Sequence, residues 1–182
     1  MTHENSPIRR SNVAYVLAKL RVRGVDYLLL NAHKKWGDWS LVGGHVEPWD
    51  ESWKAAAARE VAEEMAPLQY GSEVEVEREV GHREWGPVRS ASVGVPTRYE
   101  ARCYSLRFRA HPRECLSRLP PDEFRWVNLD RVHQDPAVAS VVKDADGWLP
   151  GGLQGLPLSW DEDLDDLPSL QRSADGHAAH AE

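Results

Sequence analysis

The chain lacks the features that mark secreted, membrane-spanning and strongly basic proteins. Its 182 residues include only two cysteines, which do not make a disulfide framework and favour a reduced, cytoplasmic setting. No apolar run reaches the length of a membrane span, and the N-terminal sequence MTHENSPIRR has no apolar signal core. Excess positive charge is also lacking, because the formal net charge is −7. We therefore expect no membrane partner and no stable nucleic-acid binding.

What the chain does contain is enough apolar sequence for one sizeable domain. Hydrophobic residues make up 41% of the chain and aromatic residues 8%. We expect a polar, mobile N-terminus over residues 1–11 and one domain over residues 12–148. Residues 149–182 are rich in Gly, Pro, Asp and Ala, which predicts an acidic and largely disordered tail. Within this tail, Trp160 is a candidate for docking on the domain or on a partner.

Short apolar or alternating segments predict the strands of this domain, over residues 12–20, 26–32, 39–42, 71–85, 98–110 and 123–129. The first is apolar on both faces, which is typical of a central strand, and a turn at 21–24 predicts a hairpin with the second. We expect Gly86-Pro87 to end the strand over 71–85, and a bulge near Ser105 to reconcile the two apolar faces of 98–110. A helix is predicted over 130–144.

The stretch from Gly43 to Ala66, GGHVEPWDESWKAAAAREVAEEMA, is the most informative part of the sequence. It predicts a glycine turn, a polar loop and a short alanine-rich helix. At about 100° per residue, Glu60, Glu63 and Glu64 share one arc of that helix, beside an apolar arc. Like charges at this spacing repel one another by a few tenths of a kcal/mol per pair. Such a face is either solvated or neutralised by a cation.

Carboxylate oxygens favour a hard cation, so we expect Mg²⁺ or Mn²⁺ rather than zinc. Mg²⁺ held by a few carboxylates keeps water positions open, and phosphate oxygens can take them. Arg59 lies one turn before Glu63 and could fix its rotamer. Gly43 and Gly44 can bring backbone close to the same place, because glycine has no Cβ and tolerates a positive φ.

This stretch is similar to the Nudix box, G-x5-E-x7-R-E-U-x-E-E-x-G-U, in which U is a bulky apolar residue. The matching residues are Glu51, Arg59, Glu60, Val61, Glu63 and Glu64. Two features depart from the pattern: six residues separate Gly44 from Glu51, and Ala66 followed by Pro67 replaces the last glycine and apolar residue. We expect the helix to stop at about Met65, because the residue before a proline favours extended geometry.

The resemblance implies an α/β fold, an α/β/α sandwich around a mixed sheet. It also implies a metal-dependent hydrolase that cleaves a phosphoanhydride in a nucleoside diphosphate linked to another group. The implied metal ligands are Glu60, Glu63, Glu64 and the Gly43 backbone. The residues placed in the catalytic machinery are Glu63, Glu64, Arg59 and Glu51. The resemblance leaves the nucleotide open, and it also leaves a homodimer open.

Substrate contacts are expected from Gly44, His45, Trp53 and Arg102. A tryptophan near the box can stack on a base, although packing beneath a long loop is the alternative. Arg102 could hold an anionic substrate or lie on a solvated sheet face. The general base is open among the candidates His82, Glu100, Glu114 and Glu123.

Two other hypotheses stay open. The chain could be a catalytically silent Nudix-like module that senses a nucleotide or binds a protein, as the extra loop residue and Ala66 would allow. The plainest alternative is an acidic helix on an unrelated α/β domain. The intact carboxylates favour the enzyme, because a site without a cation has no reason to keep like charges together.

Overall fold

The computed structural model describes residues 7–167 and the backbone of residues 171–172. The strands are β1 (Arg9–Leu17), β2 (Lys19–Val22), β3 (Val25–Ala32), β4 (Trp39–Ser40), β5 (Val42–His45), β6 (Val74–Arg89), β7 (Pro96–Phe108), β8 (Phe124–Asn128) and β9 (Gln171–Arg172). The helices are α1 (Trp53–Glu64), α2 (Pro112–Leu116) and α3 (Ser140–Trp148), with a 3₁₀ turn at Leu129–Arg131.

The first sheet has the strand order β5-β1-β7-β6 and is mixed. Strand β1 pairs parallel with β7 and antiparallel with β5, so the predicted central position of this segment is confirmed. Its register places Arg102, Ala14 and Gly44 in one row across three strands. Side chains that are paired in register lie on the same face of a sheet. The side chain of Arg102 on β7 therefore lies on the same face of the sheet as Gly44.

The second sheet has the order β2-β3-β8-β9, with β4 also paired to β3. The predicted hairpin is confirmed, because β2 and β3 pair antiparallel from Lys19–Leu28 to Val22–Val25. Its two-residue turn has φ of 49° at Arg23 and 77° at Gly24. Both values lie in the left-handed region that tight hairpin turns require.

Helices cover both sides of the sheets. Ala56, Ala57 and Val61 of α1 are buried in one core cluster with residues of β1, β6, β7 and β8. Val142 and Ala145 of α3 are buried in a second cluster, together with Leu17, Leu28 and other residues. The predicted α/β/α sandwich around a mixed sheet is therefore confirmed. Within the described residues, no helix is long and apolar enough to cross a membrane.

Three predicted boundaries of the strands are wrong. The segment 12–20 is not one strand, because β1 ends at Leu17 in the first sheet and β2 begins at Lys19 in the second. Residues 9–11, expected to be mobile, belong to β1 and pair with residues 97–99 of β7. Gly86-Pro87 does not end β6, which continues to Arg89 with a register shift between Trp85 and Val88. Pro87 is tolerated there because β6 is an edge strand and the shift removes the need for its N–H.

The predicted bulge near Ser105 is on the partner strand. Strand β7 pairs continuously with β1 from Thr97 to Ser105, whereas β6 shifts register between Val76 and Glu79. Both faces of β7 are buried, with Cys103 in the second core cluster and Leu106 in the first. Burial of both faces removes the conflict that the sequence pattern suggested.

The predicted helix over residues 130–144 is also wrong. The chain forms the 3₁₀ turn and further turns before α3 begins at Ser140. Pro136 disfavours helical geometry at the residue before it. That residue, Asp135, accepts a hydrogen bond from Ala137 N at 2.9 Å and pairs with Arg125.

The predicted disordered tail does not describe residues 149–167. Leu153 is 1% exposed and Leu156 6%, and both pack in the second core cluster. Ser159 is fully buried and connects the two sheets: its Oγ accepts from Lys19 N at 3.0 Å, and its carbonyl accepts from Phe108 N at 2.9 Å. Trp160 packs against the first cluster, as its expected docking requires. Residues 168–170 and 173–182 lie outside the described residues.

We predict that Leu153→Ala lowers the free energy of unfolding by about 2–5 kcal/mol, the usual cost of deleting a buried leucine side chain. Urea denaturation followed by tryptophan fluorescence measures this change. The control is Glu162→Ala, because Glu162 is exposed in the same segment. A loss below about 1 kcal/mol for Leu153→Ala would show that residues 149–167 are not part of the folded domain.

Candidate functional site

The acidic helix α1 has a defined cap at each end. Ser52 is the N-cap, and its Oγ accepts a hydrogen bond from Ala55 N at 3.0 Å. The helix ends at Glu64 with Met65 as C-cap, as predicted. Ala56, Ala57 and Val61 face the core, so the glutamates of the neighbouring arc lie at the boundary between core and solvent.

Gly43 and Gly44 allow this helix to approach β5 closely. Gly43 has a φ of 142°, and a Cβ there would lie 2.2 Å from the carbonyl oxygen of Ala14. A Cβ on Gly44 would lie 2.4 Å from Oε1 of Glu60. Both distances are shorter than non-bonded atoms tolerate. The glycine pair therefore creates the space that the Glu60 carboxylate occupies.

Glu64 is held against the same glycines. Its Oε2 accepts a hydrogen bond from Gly43 N at 3.1 Å and another from Asn31 Nδ2 at 3.0 Å. The pKa of Glu64 is raised to about 7, chiefly by burial and also by the nearby Glu60 carboxylate, against the opposing effect of these hydrogen bonds. The protein thus holds an oxygen ligand in place at a cost in electrostatic free energy.

Arg59 organises the loop before the helix. Its guanidinium donates to both carboxylate oxygens of Asp50 at 3.0 Å and to the backbone carbonyl of His45 at 2.9 Å. It also donates to Glu60 Oε1 at 2.8 Å, although burial still leaves the pKa of Glu60 raised. The hydrogen bonds from Arg59 lower the pKa of Asp50. Arg59 thus joins loop and helix into one unit.

Asp50 is a residue of the site that was not predicted from the sequence, which indicated its neighbour Glu51 instead. Glu51 is exposed, whereas the Asp50 carboxylate is 5% exposed and pairs with Arg59. Counting from Gly44 instead of from the helix would have found it, because five residues separate Gly44 from Asp50. The extra loop residue thus lies between Asp50 and the helix.

Glu63 stands apart from the other two carboxylates. Its side chain is 60% exposed, and its Oε1 lies 3.5 Å from a nitrogen of Arg59. Within residues 7–167, no group of three histidine, cysteine or acidic side chains is arranged to hold a metal ion. The expected convergence of Glu60, Glu63 and Glu64 is therefore not present in this side-chain arrangement, and their joint role as ligands stays a prediction.

The donors present nevertheless suit a hard divalent cation. Glu60 and Glu64 offer carboxylate oxygens beside the glycine backbone, and burial raises both of their pKa values. Each ionised carboxylate also disfavours the ionisation of its neighbour, Glu60 acting on Glu64 and Glu63 acting on Glu60. Bound Mg²⁺ or Mn²⁺ would remove both penalties by supplying the missing positive charge.

Trp53 and Arg102 contact each other at the N-terminal end of α1. The guanidinium carbon of Arg102 lies 4.6 Å from the ring centroid of Trp53. Arg102 also donates from Nε and Nη2 to Glu100 Oε1, at 3.1 and 3.0 Å. Trp53 packs in addition against the first core cluster. The alternative of packing, left open by the sequence, is therefore what the structure shows for Trp53.

The remaining candidates are spread over the surface. His45 is exposed, and its backbone carbonyl contacts Arg59. Among the candidate bases, Glu100 contacts Arg102, and His82 is exposed on β6 with Nδ1 at 4.0 Å from Glu79. Glu114 lies on α2 and Glu123 directly before β8. Two candidate bases thus lie beside Arg102, Glu100 through hydrogen bonds and His82 as its register partner on β6.

We predict that the metal-free protein becomes less stable as pH rises because of Glu64. A folded-state pKa of about 7 against an ordinary value of 4.5 means that the folded form binds more protons between these pH values. Ionising Glu64 then costs about 3 kcal/mol of stability above pH 7. Glu64→Gln removes this cost, so in EDTA the variant should be more stable than the wild type at pH 8 and not at pH 4.5.

Urea denaturation in EDTA at several pH values tests this prediction. The matched control is Glu63→Gln, because the Glu63 side chain is 60% exposed. If Glu64→Gln and the wild type change in parallel with pH, the Glu64 carboxylate is not desolvated in the metal-free protein.

Comparison with solved structures gives similar folds at low identity. A mutT/nudix family protein from Listeria innocua is 18% identical, with a TM-score of 0.50 over 77% of this chain and 90% of that chain. Shewanella oneidensis NrtR bound to a 27mer DNA is 20% identical, with a TM-score of 0.49 over 69% of this chain and 54% of that chain. The C. elegans Ap4A hydrolase is 18% identical, with a TM-score of 0.44 over 68% and 84%.

This chain thus spans about half the length of NrtR. At such identities the likeness concerns the fold alone, and what these proteins bind or cleave is not transferred by it. No curated protein matches the sequence.

The family description "NUDIX domain" matches residues 10–147, which is most of the chain. The match includes the glycine pair, Asp50, Arg59 and the acidic end of α1. The packing of these elements agrees with the match: a mixed sheet carries the acidic helix on one side and α3 on the other. The chain therefore belongs to the Nudix family.

Proposed function

We propose that this protein hydrolyses a phosphoanhydride bond in a nucleoside diphosphate linked to another group, with Mg²⁺ or Mn²⁺ as cofactor. One observation supports this most strongly: the Glu60 and Glu64 carboxylates are held, partly desolvated, beside Gly43 and Gly44. Without a cation this arrangement costs stability, so a role in binding one explains why the chain keeps it. The net charge of −7 is consistent with a small-molecule substrate rather than nucleic acid.

In this proposal each residue of the site has a stated task. Glu60, Glu63, Glu64 and the Gly43 backbone hold the cation, which neutralises charge on the phosphate oxygens. Arg59 positions Glu60 and the loop, and Asp50 fixes Arg59 in turn. Gly44 keeps the approach to Glu60 open. Glu63 is exposed, and the proposal requires its side chain to turn towards the other two carboxylates.

Substrate contacts are proposed at the edge of this site. His45 is exposed at the end of β5, one row away from the row that contains Gly44, Ala14 and Arg102. Arg102 is held by Glu100 and supported by the Trp53 ring, so its guanidinium is pre-oriented. A nucleotide phosphate is the partner we propose for it. A cytoplasmic location and a homodimer also stay proposals.

A second candidate function is a silent nucleotide-sensing module. The observation that favours it is the position of Glu63, which is turned to solvent while Arg59 contacts Glu60. In that case the arginine would neutralise the site in place of a cation. The module would then bind a nucleotide without turnover.

We predict metal-dependent release of a phosphate-containing product from at least one of four substrate classes: nucleoside triphosphates, nucleotide sugars, ADP-ribose and dinucleoside polyphosphates. A colourimetric phosphate assay coupled to a phosphatase, with Mg²⁺ and with Mn²⁺, measures it. Glu64→Gln should lower kcat/KM by at least about 100-fold, since loss of groups that only support metal ligands already costs 10–100-fold.

Glu162→Gln is the control, because Glu162 is exposed outside the site and should leave the rate unchanged. Unchanged turnover in both Glu63→Gln and Glu64→Gln would mean that the ligand assignment is wrong. Tight nucleotide binding with no product after long incubation with metal would favour the silent module.

A further inference from the structure

The loop between β3 and β4, residues 33–38, lies beside the acidic end of α1 and has no role in the function proposed so far. Its sequence is HKKWGD, with two lysines and a tryptophan. Asn31, at the end of the preceding strand, donates to Glu64 Oε2 at 3.0 Å. Lys34, exposed on the loop, lies near enough to Glu64 to attract that carboxylate. The strand that leads into the loop is thus hydrogen-bonded to the site, and one loop residue, Lys34, lies near it.

The loop is held in one conformation by its own hydrogen bonds. His33 Nδ1 accepts from the backbone N–H groups of Lys35 and Trp36, at 3.2 and 3.3 Å. His33 N donates to Asp38 O at 2.8 Å, and Gly37 N donates to His33 O at 2.9 Å. Gly37 has a φ of 71°, which glycine adopts without strain. This rigidity means that little conformational entropy is lost when a ligand binds to the loop.

Trp36 presents an open ring on this loop. It is 55% exposed, which is unusual for so large an apolar side chain. The Lys35 ammonium lies 4.8 Å from its ring centroid, and the His33 ring centroid lies at 6.4 Å. An exposed indole with a lysine beside it can stack on a planar group that carries negative charge.

The distance to the site suits one ligand that contacts both places. Trp36 lies five positions after Asn31 in the chain, a span of at most about 18 Å even if fully extended. The hydrogen bonds that close the loop shorten this span. A nucleotide with its phosphates at Glu60 and Glu64 could therefore place its base at Trp36.

Trp53, the other aromatic candidate, is less available. Arg102 already covers its ring, and the ring also packs against the first core cluster. A base could stack there only by displacing an arginine that Glu100 holds through two hydrogen bonds. Lys35 lies over the Trp36 ring at a similar 4.8 Å, but Lys35 is exposed, so a base would displace only a solvated lysine there.

We propose that Trp36 is the stacking platform for the nucleobase of the substrate, and that Lys34 and Lys35 contact its phosphates. This inference rests on the proposed function, because it takes the phosphates to be at the acidic end of α1. It assigns base recognition to the loop before the glycine pair. The recognised chemistry is a planar aromatic base attached to a diphosphate.

The test is calorimetric titration with two non-hydrolysable probes in Mg²⁺, α,β-methylene-ADP and methylenediphosphonate. The first carries a base and the second does not. Trp36→Ala should weaken binding of α,β-methylene-ADP by about 5- to 100-fold, the range expected for one lost base–aromatic stack. Binding of methylenediphosphonate should not change. Trp36→Phe should retain most of the affinity, because phenylalanine can also stack.

Trp49→Ala is the matched control, since Trp49 is 72% exposed on the other loop that flanks Gly43 and Gly44. Equal affinities of Trp36→Ala and Trp49→Ala for α,β-methylene-ADP would overturn the inference while leaving the proposed function intact. The same holds if the wild type binds α,β-methylene-ADP no more tightly than methylenediphosphonate. If the wild type binds neither probe, the proposed phosphate site and the platform are both wrong.

Discussion

The contact between the acidic end of α1 and the Gly43–Gly44 backbone is the constraint on which the rest of the site depends. No side chain fits between them, because a Cβ on either glycine would overlap Ala14 or Glu60. Glu64 reaches the backbone of Gly43 through this gap, and Arg59 ties the loop to the helix. Sheet, loop and helix therefore meet at one place, where partly desolvated carboxylates accumulate. The stability lost there is the strongest physical argument for a bound cation.

Much of this arrangement could be predicted from the sequence, because it depends on residues that are close together in the chain. The spacing of Glu60 and Glu64 on one helix, and the need for glycine at a close approach, follow from helix geometry and from sterics. Asp50 was not predicted as a site residue because the inserted residue makes two registers possible, one counted from Gly44 and one from the helix, and the second selects Glu51. Only the structure shows that Asp50, and not Glu51, contacts the guanidinium.

The other errors concern contacts between distant parts of the chain. Composition predicted disorder after Trp148, but Ser159 hydrogen bonds to Lys19 and Phe108, which lie far away in the sequence. Pro87 was expected to end a strand, yet an edge position with a register shift tolerates it. Trp53 was a candidate for base stacking because pattern alone cannot show that Arg102 covers its ring. These contacts between distant residues depend on how the strands pair, and a short sequence motif does not determine that pairing.

The central claim is that Glu60 and Glu64 bind a divalent cation that contacts the substrate phosphates. Anomalous diffraction from crystals soaked in Mn²⁺ tests it most directly. We expect a manganese peak about 2.1 Å from carboxylate oxygens of both residues, the distance usual for such small divalent cations, with Glu63 turned towards it. The absence of a peak at these carboxylates, or a peak bound by other side chains, would contradict the account.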